Sequence, residues 1–374
     1  MRVLVLIHEY PPVGGGGGRV AQDLCEGLAA RGHTLEVVTA QCGALPAEEE
    51  RGGVRIHRLD SGRRELFRAG LPAMAGFIAA ALRRGPRLIR VFKPDVIHAH
   101  FAVPAGAAAL MLSRLCRVPY VLTAHLGDVP GGVPEKTGKW FRWIFPFTPP
   151  IWKGARSVAA VSEFTRSLAA ASYPGVKVQV IHNGVDISGL DPGEIVVNDT
   201  PQVVFAGRFM AQKDPIMFVR GLHAVRDLPW RAVMAGDGPL RPQVEAAIAE
   251  TGLGERIAMT GWVAPAQVLD AFRQSDILFQ PSLSEGLPVV GVQGMALGLA
   301  LVMGRAGGNP ELVTEGENGF LASPGDEAGF AAALRTLLGD PQRLLAARLA
   351  SRQLSAKFDL KAILDSYEAM LESG

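Results

Sequence analysis

Arg208 and Lys213 stand five residues apart in Gly207-Arg-Phe-Met-Ala-Gln-Lys213, directly after the apolar run 203–206. Two cations at the carboxyl end of a strand can neutralise a diphosphate without a metal ion. Farther on, Ser282-Leu-Ser-Glu285-Gly286-Leu287-Pro288 opens into an apolar helical stretch, with Pro288 suited to the first helical position. Backbone amides around Gly286 and Leu287 would then point at an anion. Glu285 precedes that helix, and Gln293 lies about a turn and a half into it. Taken singly, each feature is equally compatible with a turn, a cap or a surface ion pair.

A second group surrounds the first strand. Gly14 to Gly18 are five consecutive glycines between an apolar run and a helical pattern, a place where backbone can approach an anion closely. Gly16-x-Gly18-x-x-Ala21 fits the loose dinucleotide fingerprint, but Val38-Thr39-Ala40 supplies no acid for the ribose. A nicotinamide or flavin dehydrogenase is therefore the weaker reading. His98 and His100 are followed by no third ligand at metal spacing, and no Asp-x-Asp neighbours them. They suit strand-end hydrogen bonding or an acceptor-cleft wall better than a metal site. His8 and Glu9 follow the first strand. Asp128, three residues after His125, is placed to orient that histidine or to meet an acceptor.

The elements that must hold these residues alternate twice. Residues 2–7, 34–40, 95–98, 119–124, 158–161 and 178–181 read as strands, with helices at 19–30 and 103–116. After a polar connector containing Asn183-Gly184-Val185-Asp186 and Asp191-Pro192-Gly193, strands recur at 203–206, 231–235, 256–259, 276–279 and 300–303. Runs that are apolar throughout and separated by helices predict parallel sheets covered on both faces. Two doubly wound α/β halves joined near residue 190 follow, with ligand expected between them at the carboxyl ends of the strands.

A chain of 374 residues is long enough for two domains. Its 38 basic and 36 acidic residues exclude a polybasic nucleic-acid binder on bulk charge. Three cysteines without metal spacing, Cys25, Cys42 and Cys116, argue against a disulfide framework and for a reducing, cytoplasmic setting. The apolar start is too short for a signal peptide. The 14 apolar residues 69–82 fall short of a bilayer span. Residues 286–304 are interrupted by Pro288 and five glycines, and read as a buried helix, turn and strand.

The charge is unevenly spread. Residues 1–186 carry 23 basic and 14 acidic side chains, and the remainder 15 and 22. Residues 63–93 hold eight cations against Glu65 alone. Residues 136–156 mix five cations with Trp140, Phe141, Trp143, Phe145, Phe147 and Trp152. Such mixtures suit an anionic membrane surface or a lipid-linked substrate; solvated helix faces over ordinary core aromatics are the alternative.

The order and spacing of these motifs resemble the GT-B, family-4 retaining glycosyltransferases. Gly207-Arg208 with Lys213, Pro281-Ser-x-Ser-Glu285-Gly-Leu-Pro, Met295-Ala-Leu-Gly298 and Gly307-Gly-Asn-Pro-Glu311 carry the resemblance in the second half. Pro11-Pro12, His98-Ala-His100, Thr123-Ala-His125, Val161-Ser162 and Asn183-Gly-Val-Asp186 extend it through the first. The resemblance implies a nucleotide-diphosphate sugar donor, UDP- or GDP-linked, and a hydroxyl acceptor such as a glycan, glycolipid or lipid-linked precursor. It implies an acceptor-binding domain at 1–186, a donor-binding domain at 187–355, and a C-terminal helix at 356–374 crossing back to the first.

By the same resemblance Arg208 and Lys213 bind the donor diphosphate, and Glu285 hydrogen-bonds hydroxyls of the donor sugar. Gly286 and Leu287 offer backbone amides, and His125 lies near the sugar's 6-hydroxyl. Gly16 approaches the diphosphate, and the backbone at Trp262 and Val263 reads the base. The family's second signature acid is Gln293 here. An amide accepts with its oxygen and donates with its nitrogen, so ribose recognition survives at reduced strength. No cofactor and no metal are expected. No carboxylate nucleophile is evident, so front-face attack is preferred to double displacement. A GT-B-fold sugar-nucleotide epimerase, or a nucleotide-sugar-binding protein without turnover, is the alternative function.

Overall fold

Short β-branched runs bounded by turns become parallel strands, because helices bury them on both faces. The computed structural model describes residues 1–66, 69–133 and 143–373. They divide into two units, Met1–Asn183 with the C-terminal residues from Leu360, and Gly184–Asp359.

The first unit contains β1 (Arg2–Leu6), β2 (Thr34–Ala40), β3 (Glu48–Arg51), β4 (Val54–Leu59), β5 (Val96–His100), β6 (Tyr120–Ala124), β7 (Val158–Ala160) and β8 (Val178–Val180). They lie in the order β3-β4-β2-β1-β5-β6-β7-β8, with only β3 antiparallel to its neighbour. Helices α1 (Gly16–Ala30), α2 (Leu71–Phe92), α3 (Ala107–Cys116), α4 (Pro149–Gly154) and α5 (Glu163–Ser172) connect them. Alternation along β1 divides the core: Val3 and Val5 pack with α1 and the C-terminal helix Leu360–Glu372, whereas Leu4 and Leu6 pack with α2 and α3. Gly27 of α1 permits that docking, since a Cβ there would lie 2.7 Å from Leu364 Cδ1. Arg31 adds contacts of 2.6 Å to both Asp365 and Glu368.

The second unit contains β9 (Gln202–Ala206), β10 (Arg231–Ala235), β11 (Ile257–Gly261), β12 (Ile277–Gln280), β13 (Ala300–Gly304) and β14 (Gly319–Ala322). Their order is β11-β10-β9-β12-β13-β14, parallel throughout. Helices α6 (Pro215–His223), α7 (Arg241–Thr251), α8 (Pro265–Arg273), α9 (Val289–Ala296), α10 (Glu327–Leu338) and α11 (Pro341–Leu354) cover it. Val203 and Phe205 join one core, and Val204 and Ala206 the other. Strand order reverses between β9 and β12, where a doubly wound sheet opens a crevice at the strand ends.

Several elements differ from the sequence reading. Helix α1 begins at Gly16, three residues before Arg19, so the last three glycines of the run are helical. The hairpin strand β3 is Glu-Glu-Glu-Arg and carries no apolar pattern to reveal it. The apolar residues 71–82 form the first half of α2, whose second half is arginine-rich. Among the described residues no helix is long and apolar enough to cross a membrane. Residues 286–304 form α9 and β13, with Pro288 as the N-cap rather than the first helical residue.

Of the charged and aromatic segments, Arg63 is not surface charge. It is buried and donates to the carbonyls of Glu65, His8 and Leu66. Trp152 is wholly buried and stacks on Tyr173, while Trp143 and Phe147 are exposed. Arg68, Lys136, Trp140 and Phe141 lie outside the described residues.

Candidate active site

In the second unit, backbone contacts build the loop after β9. The N–H of Gly207 donates to Ala235 O at 3.0 Å and that of Phe209 to Asp237 O at 2.8 Å, which fixes the chain on both sides of Arg208. The turn Gly236-Asp237-Gly238 makes this possible. A Cβ on Gly236 would sit 1.9 Å from Gly207 O, and one on Gly238 2.5 Å from Phe209 O. Both glycines also have positive φ, at 156° and 158°. Sequence reasoning missed this turn; its signal was two glycines flanking an acid directly after a strand.

Lys213 ends the 3-10 turn Ala211–Lys213. That turn is tied to the loop after β12: Leu283 N–H donates to Gln212 O at 2.8 Å, and Gln212 Nε2 donates to Ser284 O at 2.9 Å. The result brings Lys213 Nζ to 2.5 Å from Glu285 Oε1, with the two side chains 19% and 8% exposed. Gln280 Nε2 donates to Ala206 O at 2.8 Å, so the ends of β12 and β9 are linked through a side chain. Glu285 is also held by its backbone, since its carbonyl accepts the Gly308 N–H at 3.0 Å. Gly307, at φ +59°, lets that carbonyl approach; a Cβ there would fall 1.7 Å from it.

Gly286 is partly exposed, whereas the Leu287 side chain is buried in the core. Gln293 is half-buried on α9. Trp262 and Val263 follow β11, two strands from β9. Trp262 is exposed, and Val263 packs partly on the core. Buried oxygens of Gln280, Ser282 and Asn309 have no hydrogen-bond partner among the described residues. Arg208, Lys213 and Glu285 thus come from the two strand ends flanking the switch point. Such an array can hold a polyanion by charge and a polyhydroxyl group by the carboxylate.

In the first unit the switch point lies between β1 and β5. His125 follows β6 and is stacked on Phe101, with ring centroids 4.2 Å apart. Its Nε2 lies 3.5 Å from His100 Nδ1. Burial and the nearby His8 push the His125 pKa down to about 3, so its imidazole is neutral at ordinary pH. His98 is likewise lowered to about 3 by burial and the nearby His125, and its Nε2 is hydrogen-bonded to Thr123 Oγ1 at 2.8 Å. His100 is held well below its usual value by burial and by His98 and His125. Among the described residues no three His, Cys, Asp or Glu side chains converge as metal ligands.

Asp128 was expected to orient His125 or meet the acceptor. The structure places it in the interior, where Oδ2 accepts the His125 backbone N–H and Oδ1 that of Ala102, both at 2.8 Å. It therefore acts on the backbone of His125, not on the ring. Directly before Ala102 stands Phe101 at φ +72°, a conformation a phenylalanine adopts only when its surroundings impose it. Burial raises the Asp128 carboxyl to about 7, against the backbone N–H groups of His125, Ala102 and Val103. His100 is fully buried as well, so neither residue presents an open face to a second substrate.

Gly16 begins α1 with open space where a Cβ would be, room that a ligand could use. Its neighbour Gly17 was not singled out from sequence. A Cβ there would lie 2.6 Å from Phe101 Cζ and 3.5 Å from His125 Nδ1. The glycine run thus serves two ends: Gly16 leaves space, and Gly17 lets α1 pack on the histidine.

Both units match known proteins. Residues 14–188 match the family model "Glycosyltransferase Family 4", and residues 200–340 match "Glycosyl transferases group 1". An uncharacterised glycosyltransferase of Methanocaldococcus jannaschii is 25% identical over 362 residues, covering 91% of this chain and 90% of its own. D-inositol 3-phosphate glycosyltransferase of Nocardia farcinica is 28% identical, covering 92% and 82%. In fold, the chain is similar to sucrose-phosphate synthase from Thermosynechococcus elongatus (TM-score 0.84, 19% identity, 100% and 98% covered). It is also similar to Anabaena HepE in complex with UDP (TM-score 0.80, 22% identity, both chains wholly covered). The matches take in both units, and this chain belongs to glycosyltransferase family 4, the glycosyl transferases of group 1, as an enzyme of the GT-B fold.

Proposed function

We propose that this enzyme moves a sugar from a UDP- or GDP-linked donor to a hydroxyl of a glycan, glycolipid or lipid-linked acceptor, with retention at the anomeric carbon. The second unit serves the donor and the first serves the acceptor. The observation carrying the reading is the Lys213–Glu285 contact that joins the ends of β9 and β12, with Arg208 in the same loop after β9. Arg208 and Lys213 neutralise the diphosphate as it leaves, in place of a metal ion. Glu285 accepts from sugar hydroxyls, and the Gly286 and Leu287 amides donate to the sugar or phosphates. Gln293 reads the ribose, and the backbone at Trp262 and Val263 reads the base.

His125, neutral and fixed by Phe101 and its backbone bond to Asp128, hydrogen-bonds the transferred sugar. Gly16 leaves room for the diphosphate. The departing phosphate oxygen assists removal of the acceptor proton in a front-face reaction. Support for a uridine donor comes from Anabaena HepE, whose structures hold UDP and UDP-glucose. The basic excess of the first half supports an acceptor at the cytoplasmic face of a membrane.

A thermal-shift panel of UDP, GDP, ADP and their common sugars, with chelator present, tests the reading on wild type and Arg208→Ala. One nucleotide at about 100 times its Kd is expected to stabilise wild type by roughly 2.7 kcal/mol, and Arg208→Ala to abolish the effect. Absence of any shift overturns the donor assignment.

A further inference from the structure

We propose that the outer face of α2 and α3 in the first unit is a docking surface for an anionic lipid bilayer, which deepens the membrane-side reading of the acceptor. Helix α2 turns Phe77, Ala81, Gly85 and Ile89 into the core, and α3 turns in Ala108, Ala109 and Leu112. The helices touch at Gly85, where a Cβ would lie 2.8 Å from Leu112 Cδ1. On the opposite side of α2, Arg83, Arg87 and Arg90 form an exposed stripe at helical spacing. Helix α3 exposes Met111, Arg114 and Leu115. The stripes adjoin, because the Arg90 guanidinium is near enough to Cys116 of α3 to oppose the upward push of burial on its thiol.

Acids on this face are few: Glu48 and Asp60 lie beside Arg83 and Arg84 at one end. From residue 66 to 127 the chain has one carboxylate, Asp95, and its Oδ2 accepts the Arg2 N–H at 2.7 Å. Among the described residues Arg83, Arg87, Arg90, Arg114 and Arg117 form no ion pair, and Arg84 reaches only Glu48, at 3.7 Å. Val91, Met111 and Leu115 stand among these arginines with exposures of 76%, 48% and 66%. A soluble glycan or a nucleic acid would satisfy the cations but leave the aliphatic side chains in water. A bilayer satisfies both, with phosphate headgroups for the arginines and the headgroup–acyl boundary for the aliphatics. Each cation close to an anionic leaflet raises the partition constant about fivefold.

The test is cosedimentation of the full chain with phosphatidylcholine vesicles, with and without phosphatidylglycerol, at low and high salt. Binding is expected to anionic vesicles only and to fall as salt rises. The triple variant Arg87→Glu/Arg90→Glu/Arg114→Glu should lose more than about a hundredfold in partition. Val91→Ser/Leu115→Ser, with charge intact, should lose roughly tenfold. Arg220→Glu/Arg231→Glu in the second unit should bind as wild type.

Equal binding to neutral and anionic vesicles, or wild-type binding by the triple variant, overturns the proposal. So does full competition by inositol hexakisphosphate with no effect of Val91→Ser/Leu115→Ser, which would point to a soluble anionic partner. If the triple variant melts early, the single reversals Arg87→Glu and Arg114→Glu decide. The nucleotide thermal shift is read without vesicles, so a wild-type chain that shows that shift but binds no anionic vesicles refutes the surface and leaves the donor reading standing.

Discussion

Lys213 and Glu285 are each other's partner, so removing one or the other should have opposite effects on nucleotide binding. In Lys213→Ala the Glu285 carboxylate, 8% exposed, loses its cation at 2.5 Å. Breaking one side of a buried pair costs about 3–5 kcal/mol. Here the lysine is 19% exposed and water can reach the vacated space, so we expect about 2–3 kcal/mol. For a unit of this size that is a fall in Tm of roughly 5–10 °C. Loss of a charged donor to the diphosphate should also weaken UDP about 10- to 100-fold.

Glu285→Gln keeps an oxygen facing Lys213 and should cost only about 1 kcal/mol of stability. It frees the ammonium from competition, so UDP should bind as tightly as to wild type or up to about tenfold tighter. Sugar transfer should fall about a hundredfold or more, because the hydroxyl contacts are lost. Calorimetric titration with UDP and thermal melts of the two single variants and the double variant measure all of this. Unchanged UDP affinity in Lys213→Ala, or equal weakening in both single variants, would refute the idea that the pair is a preformed, competitively held phosphate site.

Three further outcomes can be checked. Asp128→Ala orphans two buried backbone N–H groups and should lower stability by about 2–4 kcal/mol; if the second unit carries the donor as proposed, UDP affinity should stay at the wild-type value in the same titration. Gly17→Ala puts a methyl 2.6 Å from Phe101 Cζ, on a ring already stacked on His125. Steady-state kinetics should show a kcat about tenfold lower with little change in KM for the donor, whereas Gly16→Ala should melt as wild type.

The third outcome concerns pH. His98, His100 and His125 are held below 6.5 when folded, so unfolding takes up three protons as pH falls through 6.5. Asp128, raised from 3.8 to about 7, acts the other way and releases one. Between about pH 6 and 4 the net uptake of two protons should cost roughly 2.7 kcal/mol of stability per pH unit. Urea unfolding at pH 7, 6 and 5 measures it, and a flat profile would contradict the burial of the histidines.

Much of the fold was legible because its cause is local. Strands buried on both faces must be apolar throughout, so 203–206 and 300–303 announce themselves whatever lies beside them. The cations at Arg208 and Lys213 were legible for a related reason: polar residues just after such strands are already at the edge where ligands bind. The hairpin strand β3 was not legible, since Glu-Glu-Glu-Arg pairs through its backbone at a sheet edge and needs no apolar side.

Residue types and their order along the chain were enough to determine the family, the alternating strands and helices, and the cationic strand-end loop. The tertiary structure alone decided which charges are surface and which are structural. Arg63 counts as basic surface in the sequence, yet it is buried against three carbonyls, while Arg87 and Arg114, on separate helices, are exposed. It also decided that Asp128 grips a backbone rather than an imidazole, and that Gly17 is the glycine on which His125 depends. Composition counts charges and spacing sets periodicity, but neither encodes which distant groups will lie within hydrogen-bonding reach. That depends on packing between elements far apart in the chain.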